Sequence, residues 1–161
     1  MFQERQAHQI MIQQNIRKLI FGLIIVSLVS GCAALRGKPQ APDMRDEIIK
    51  TALSLRGKAY KKNGKGPDGF DCSGFVYYVY NKSNIRLAPS TKKLIRYGHK
   101  ITLANVKPGD LVFFKAKKIF HVGIMLNHEE FIHSSTRKGI TVDRLDSPYW
   151  GKKSLHFRCV L

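Results

Sequence analysis

Cys72 stands in the stretch Gly69-Phe70-Asp71-Cys72-Ser73-Gly74-Phe75-Val76-Tyr77-Tyr78, which constrains the fold more than any other part of the chain. Small and polar residues give way at the cysteine to Phe75, Val76, Val79 and Tyr80, spaced as one buried helical face. A helix therefore begins at or beside the cysteine. Asp71 is its N-cap, with a carboxylate that can accept the free first-turn amides. A thiol in that turn feels the positive end of the helix dipole, which favours thiolate. The ordinary alternative is a packed core cysteine. The nucleophile reading therefore depends on partners elsewhere in the chain.

The other cysteines have different settings. Arg17 and Lys18 precede the uncharged run Leu19 to Val29, which Ser30, Gly31 and Cys32 follow. A basic region, an apolar stretch too short to span a membrane comfortably, and small residues together make an export signal. Met11 is an alternative start that would shorten the basic region. Val29-Ser30-Gly31-Cys32 resembles a bacterial lipobox, whose cysteine becomes the acylated N-terminus of the mature chain. Residues 1–31 are thus expected to be a lipoprotein signal peptide and Cys32 the lipidation site, with 32–42 as tether. Residues 43–161 form one domain. Cys72 and Cys159 remain; an oxidising compartment permits a disulfide, but a glycine-flanked helix start suits a reactive thiol better. Cys159 falls in a terminal strand.

The whole chain carries 28 Lys and Arg against 11 Asp and Glu, a formal +17. Such an excess favours anionic partners. For an exported protein these are acidic envelope polymers, phosphate-bearing lipids or peptidoglycan carboxylates. The lysines are scattered, and no nucleic-acid-binding module is recognisable. The chain is expected to act as a monomer without a cofactor.

Along the domain, Asp43 caps a predicted helix through Ile48, Ile49, Ala52 and Leu53, and residues 56–69 form a glycine-rich loop. Ser90 or Thr91 opens a short third helix that stops at Gly98. Leu111–Phe114, His121–Leu126, Phe131–Ser134, Ile140–Val142 and Leu155–Val160 read as strands. Helices followed by about five antiparallel strands make an α+β domain.

A nucleophilic thiol needs an imidazole. His121 opens one strand and His133 lies on the next. They meet on one sheet face only if the hairpin between them has an odd loop or a bulge, so that is expected. Catalytic zinc on Cys72, His121 and His133 is the competing use, but no CxxC or HxxxH pair supports it. His99 and His156 lack a comparable setting, and His128 sits in a turn.

Asp71-Cys72-Ser73-Gly74-Phe75-Val76, Pro108-Gly109-Asp110-Leu111-Val112-Phe113-Phe114, His121-Val122-Gly123-Ile124 and Phe131-Ile132-His133 together resemble the ordered blocks of the NlpC family. These are papain-like cysteine peptidases of the bacterial cell wall. The resemblance runs from about Asp46 to Cys159, and the lipobox is similar to that family's lipoprotein branch. It implies a papain-like fold, Cys72 as nucleophile, His121 as general base and His133 orienting that base. Tyr60 and the Cys72 amide would bind the oxyanion, with Asp71 and Ser73 lining the substrate groove. The implied substrate is a peptidoglycan stem peptide, cut at the γ-D-glutamyl–diamino acid or the D-alanyl–diaminopimelate bond. Lys61, Lys62, Asn63 and Gly64 replace the aromatic and paired glycines usual in the family, and the arginine of its Leu-Pro-Arg-x-Thr segment is absent from Leu87–Thr91. A papain-like acyltransferase or amidase and a non-catalytic wall-binding lipoprotein are the alternatives. Ala33 after the lipidated cysteine points to the outer membrane in a Gram-negative host.

Overall fold

The computed structural model describes residues 43–116 and 119–161. The expected signal peptide, Cys32 and its tether lie outside these residues. Helix α1, Met44–Ser54, starts where Asp43 accepts the Arg45 amide at 3.2 Å. It buries Ile48 and Ala52. Strands β1, Lys65–Gly66, and β2, Gly69–Phe70, pair as a small antiparallel ribbon inside the glycine-rich loop. Helix α2, Cys72–Lys82, follows at once, and Phe75, Val76, Val79 and Tyr80 form its fully buried face. Burying side chains of this size contributes roughly 1.5–3 kcal/mol each. The helix ends at Ser83, and Asn84 takes the left-handed conformation (φ 60°) that asparagine tolerates at this position. Helix α3, Thr91–Leu94, has Ser90 at its N-cap position and buries Leu94.

The main sheet has six strands: β3, His99–Ile101; β4, Leu111–Ala116; β5, Ile119–Met125; β6, Glu130–Ser135; β7, Gly139–Arg144; and β8, Ser154–Cys159. Their order is β3-β8-β4-β5-β6-β7, with antiparallel pairing throughout. The sequence indicated five of these. Short, polar β3 escaped notice because an edge strand docking on β8 needs no apolar alternation.

Leu111, Val112, Phe113 and Phe114 are all buried, so the run carries no alternation because both faces of the sheet are covered. On one face Leu111, Phe113, Val122, Ile124 and Ile132 pack with α1, α2 and Leu94. On the other, Val112, Phe114, Met125 and Phe131 pack with Val106, Leu145, Trp150 and Phe157. Arg45 fastens α1 to the turn before β4, donating to Pro108 O at 2.6 Å and to Asp110 Oδ1 at 2.9 Å. Asp110 is 1% exposed, and its other oxygen accepts the Lys107 amide. Hydrogen bonding and charge from Asp110 raise the Arg45 pKa although burial works the other way.

The N-terminus of α2 is seated against the loop by the absence of a side chain. A Cβ on Gly74 would lie 1.9 Å from the Gly64 carbonyl oxygen, which itself accepts the Asp71 amide at 3.0 Å. In an open helix Gly→Ala gains about 1 kcal/mol. Here the backbone clash reverses the sign. Gly74→Ala is expected to lower the unfolding free energy by about 1–3 kcal/mol in urea denaturation. Gly66→Ala, whose Cβ would meet open space, should change it by less than about 0.5 kcal/mol.

Candidate active site

Cys72 is the first residue of α2, with Asp71 as the cap. Asp71 Oδ1 accepts the Gly74 amide at 2.7 Å and the Ser73 hydroxyl at 3.0 Å. Asp71 and Ser73, expected to line the substrate groove, thus both serve the cap, and Ser73 is buried. Cys72 and Cys159 are free thiols; Cys159 lies in β8 and accepts from Arg45 Nη2 at 3.5 Å.

The half-buried Cys72 sulfur lies 3.8 Å from Thr91 Oγ1 at the start of α3. Burial pushes its pKa up. The Thr91 hydroxyl and the amides of Val122 and Ser73 act the other way, and the Asp71 charge adds to the rise. The net direction is up, which favours the thiol. This differs from the thiolate expected from the helix dipole. A dipole contributes typically 0.3–1 kcal/mol, less than one pKa unit, and desolvation outweighs it.

The thiol's contact with the Val122 amide sets it beside β5, next in sequence to His121. Among the described residues its side-chain hydrogen-bond partner is Thr91 and not an imidazole. The two imidazoles do meet. β5 and β6 pair with Ile124 opposite Ile132 and Met125 opposite Phe131, so an odd number of residues, 126–130, separates the last paired residues, the final one being the first residue of β6. That parity puts His121 and His133 on the same sheet face, as expected. His121 Nε2 and His133 Nδ1 are 2.8 Å apart. Gly123, opposite His133 in this register, leaves room for the pair: a Cβ there would lie 2.7 Å from the Phe131 ring and 3.3 Å from His133 Cβ.

The network continues beyond the expected residues. His133 Nε2 lies 3.1 Å from Asp143 Oδ2, which also accepts the Trp150 indole N–H at 2.9 Å. Lys138 Nζ donates to Asp143 Oδ1 at 3.3 Å. Trp150 stacks on His121, ring centroids 5.1 Å apart, and is itself buried. Burial pushes His121 down to about 3; His133 and Lys153 act the same way, and the Asp143 charge opposes them. Burial also pushes His133 down against the hydrogen bond and charge of Asp143. Asp143 is disfavoured as an anion by burial, but hydrogen bonds from Trp150, His133 and Lys138 prevail and hold its carboxyl below the usual range. At neutral pH the site therefore contains two neutral imidazoles and one carboxylate.

Sequence reasoning missed Asp143 because the predicted strand stopped at Val142. β7 runs two residues further, and its alternation, Ile140 and Val142 against Thr141 and Asp143, carries the signal. Thr141 pairs with His133, which sets Asp143 on the same face.

Tyr60 joins Phe70 through an isolated bridge, and flanking backbone bonds run from Lys61 N to Phe70 O and from Phe70 N to Ala59 O. Burial raises its hydroxyl pKa, and the neighbouring Cys72 and Asp71 charges add to this. The Tyr60 hydroxyl is thus within electrostatic reach of the thiol. Among the described residues, no three of His, Cys, Asp or Glu are grouped to hold a metal ion.

The NlpC/P60 family matches residues 57–159, which contain every residue of this site. The chain belongs to the NlpC/P60 family. Probable endopeptidase NlpC of Escherichia coli K12 is 35% identical over 140 residues, 81% of this chain and 91% of that one. Murein DD-endopeptidase MepS/murein LD-carboxypeptidase of the same organism is 32% identical over 121 residues, 74% of this chain. The chain spans 64% of that relative's length and 62% of a probable endopeptidase from Haemophilus influenzae. Among solved structures, an NlpC/P60 family protein from Bacillus cereus superposes with a TM-score of 0.68 at 26% identity, covering 76% of this chain and 41% of that one. The NlpC/p60 domain of the peptidoglycan hydrolase SagA superposes with 0.63 at 29% identity, covering 71% of this chain and 98% of that one. The helices and antiparallel sheet are the papain-like α+β arrangement of these NlpC/P60 domains.

The two depressed imidazoles have a measurable consequence. Below pH 6.5 the unfolded chain binds protons that the folded His121 refuses until about pH 3. Stability from His121 is complete above pH 6.5 and is lost as pH falls toward 3, by at most roughly 1.4 kcal/mol per pH unit, and His133 acts in the same direction. Denaturant titrations between pH 7 and pH 4 should show a steeper loss in the wild type than in His121→Gln.

Proposed function

We propose that this NlpC/P60 domain is a cysteine endopeptidase that hydrolyses an amide bond in peptidoglycan stem peptides. Cys72 is the nucleophile, His121 the general base and His133 the residue that orients it. The observation that carries the reading is the hydrogen-bonded His121–His133–Asp143 chain, which ends on the strand touching the thiol. The MepS name, a murein DD-endopeptidase, favours the D-alanyl–diaminopimelate crosslink over the γ-D-glutamyl bond.

With a thiol and a neutral imidazole at rest, proton transfer accompanies attack. His121 Nδ1 accepts the Cys72 proton as sulfur adds to the scissile carbonyl. The resulting imidazolium protonates the departing amine, leaving an acyl-enzyme. Water, deprotonated by the same nitrogen, then releases the acid. The Cys72 amide at the start of α2 and the Tyr60 hydroxyl receive the oxyanion, each donor contributing about 2.7–4 kcal/mol. Asp71, with the Ser73 hydroxyl bonded to it, holds the first turn in place for this. The basic surface attracts the carboxylates of the wall polymer.

A non-catalytic wall-binding role has one observation in its favour, the pairing of the thiol with Thr91 rather than an imidazole. Digestion of purified sacculi separates the two. The wild type is expected to release new muropeptides by mass spectrometry, and Cys72→Ala to release none while still sedimenting with the wall. Equal digestion by Cys72→Ala would sink the proposed mechanism. Transfer products on added amines would indicate an acyltransferase instead.

We further infer a lipoprotein anchored through Cys32, in the outer membrane facing the periplasm if the host is Gram-negative. Cys32→Ser should then move the protein from the membrane fraction to the soluble fraction; recovery of the wild type solely in the inner membrane would overturn the outer-membrane placement.

A further inference from the structure

The hydrogen bonds around Asp143 determine where the ring protons sit. A carboxylate only accepts, an indole N–H only donates, and a neutral imidazole has one donor nitrogen and one acceptor. Asp143 Oδ2 receives both His133 Nε2 and Trp150 Nε1. The proton of His133 therefore sits on Nε2, and its Nδ1 is an acceptor. The 2.8 Å contact to that Nδ1 then requires a proton on His121 Nε2. His121 Nδ1 is left with its lone pair. The reverse order would aim the bare His133 Nε2 at a carboxylate, two acceptors facing each other at a buried site with no hydrogen bond between them. The count takes His133 as neutral: the residue is 1% exposed, and its burial prevails over the hydrogen bond and charge of Asp143.

We propose that Asp143 is a positioning residue that, through His133, makes Nδ1 the basic nitrogen of His121, and that Trp150 pins the Asp143 oxygen that does so. This rests on the reading of His121 as the base of the amide hydrolysis. Asp143 touches neither thiol nor substrate. Its effect is on which of two tautomer chains is populated, and only one leaves a lone pair where the thiol proton must go.

The pinning makes the conservative variant informative. In Asp143→Asn, Trp150 N–H can only donate, so the amide oxygen must occupy the Oδ2 position. It still accepts from His133, and the amide nitrogen turns toward Lys138, whose side chain is 64% exposed and swings into water. Asp143→Asn therefore keeps the proton order. In Asp143→Leu the indole N–H loses its acceptor, and His133 Nε2, which shares Asp143 Oδ2 with it, can take that role once the nitrogen is bare. The proton shifts to His133 Nδ1, His121 Nε2 becomes the acceptor, and His121 Nδ1 carries a proton and cannot act as base. Combining Asp143→Asn with Trp150→Phe removes the pin. Lys138 then draws the amide oxygen toward itself, the amide N–H₂ faces His133 Nε2, and the order reverses.

The test is ¹⁵N NMR of the histidine ring nitrogens in the full chain, with muropeptide kinetics alongside. The wild type and Asp143→Asn should show His121 and His133 protonated at Nε2. Asp143→Leu and the Asn/Phe double variant should show both protonated at Nδ1, with kcat reduced by about 10–100-fold and KM little changed. A merely structural role for Asp143 would not invert the ring protons. Nε2 protonation persisting in the double variant, or Nδ1 protonation in Asp143→Asn, would overturn the proposal. If Asp143→Leu does not fold, the Asn variants decide alone. An inactive wild type with the stated ring pattern would overturn the endopeptidase reading and leave the proton assignment standing. An active wild type with the opposite pattern would overturn the assignment only.

Discussion

Everything in the site is referred to the start of α2, where backbone meets backbone with no side chain between. The Gly64 carbonyl lies where a Gly74 Cβ would be and accepts the amide of Asp71, while the Asp71 carboxylate closes the first turn. Those contacts join the glycine-rich loop to the helix as one unit. The same unit is tied to the sheet by Ser134, whose hydroxyl donates to Phe70 O at 2.7 Å. Tyr60, Cys72 and β6 thereby share one frame, so the spacing of thiol, phenol and imidazoles is set by main-chain geometry rather than by flexible side chains.

Burial governs the chemistry within that frame. The apolar face holding Phe114, Phe131 and Trp150 also holds both imidazoles, and desolvation keeps them neutral. The thiol is subject to the same effect: burial raises its pKa as it lowers those of the imidazoles. Beside the two neutral rings stands the charge of Asp143. It persists because three donors converge on it, including an exposed lysine that links it to solvent. The contact of His133 with Asp143 thus resembles the histidine–carboxylate pair of a serine-type triad.

The sheet is covered on both sides, which lets a small domain seat buried polar side chains without opening its core. The helices occupy one face, and the segment carrying Leu145 and Trp150 closes the other over the histidines. Trp150 fills volume, stacks on His121 and donates to Asp143 at once, so the closing segment and the proton order are physically linked.

The helix at Cys72, its Asp71 cap, five of the strands and the odd connection between His121 and His133 were legible in the residues, because each depends on local periodicity, capping chemistry or loop parity. Family membership was legible for a related reason: the motif blocks are contiguous. Asp143, Trp150 and Thr91 were not, since nothing local distinguishes a strand-end aspartate or a lone tryptophan until distant segments bring donors to it. Whether the sulfur rests as thiol or thiolate was likewise decided only by the tertiary structure. A helix start can be read from sequence, but the amount of water removed around it depends on which elements pack there.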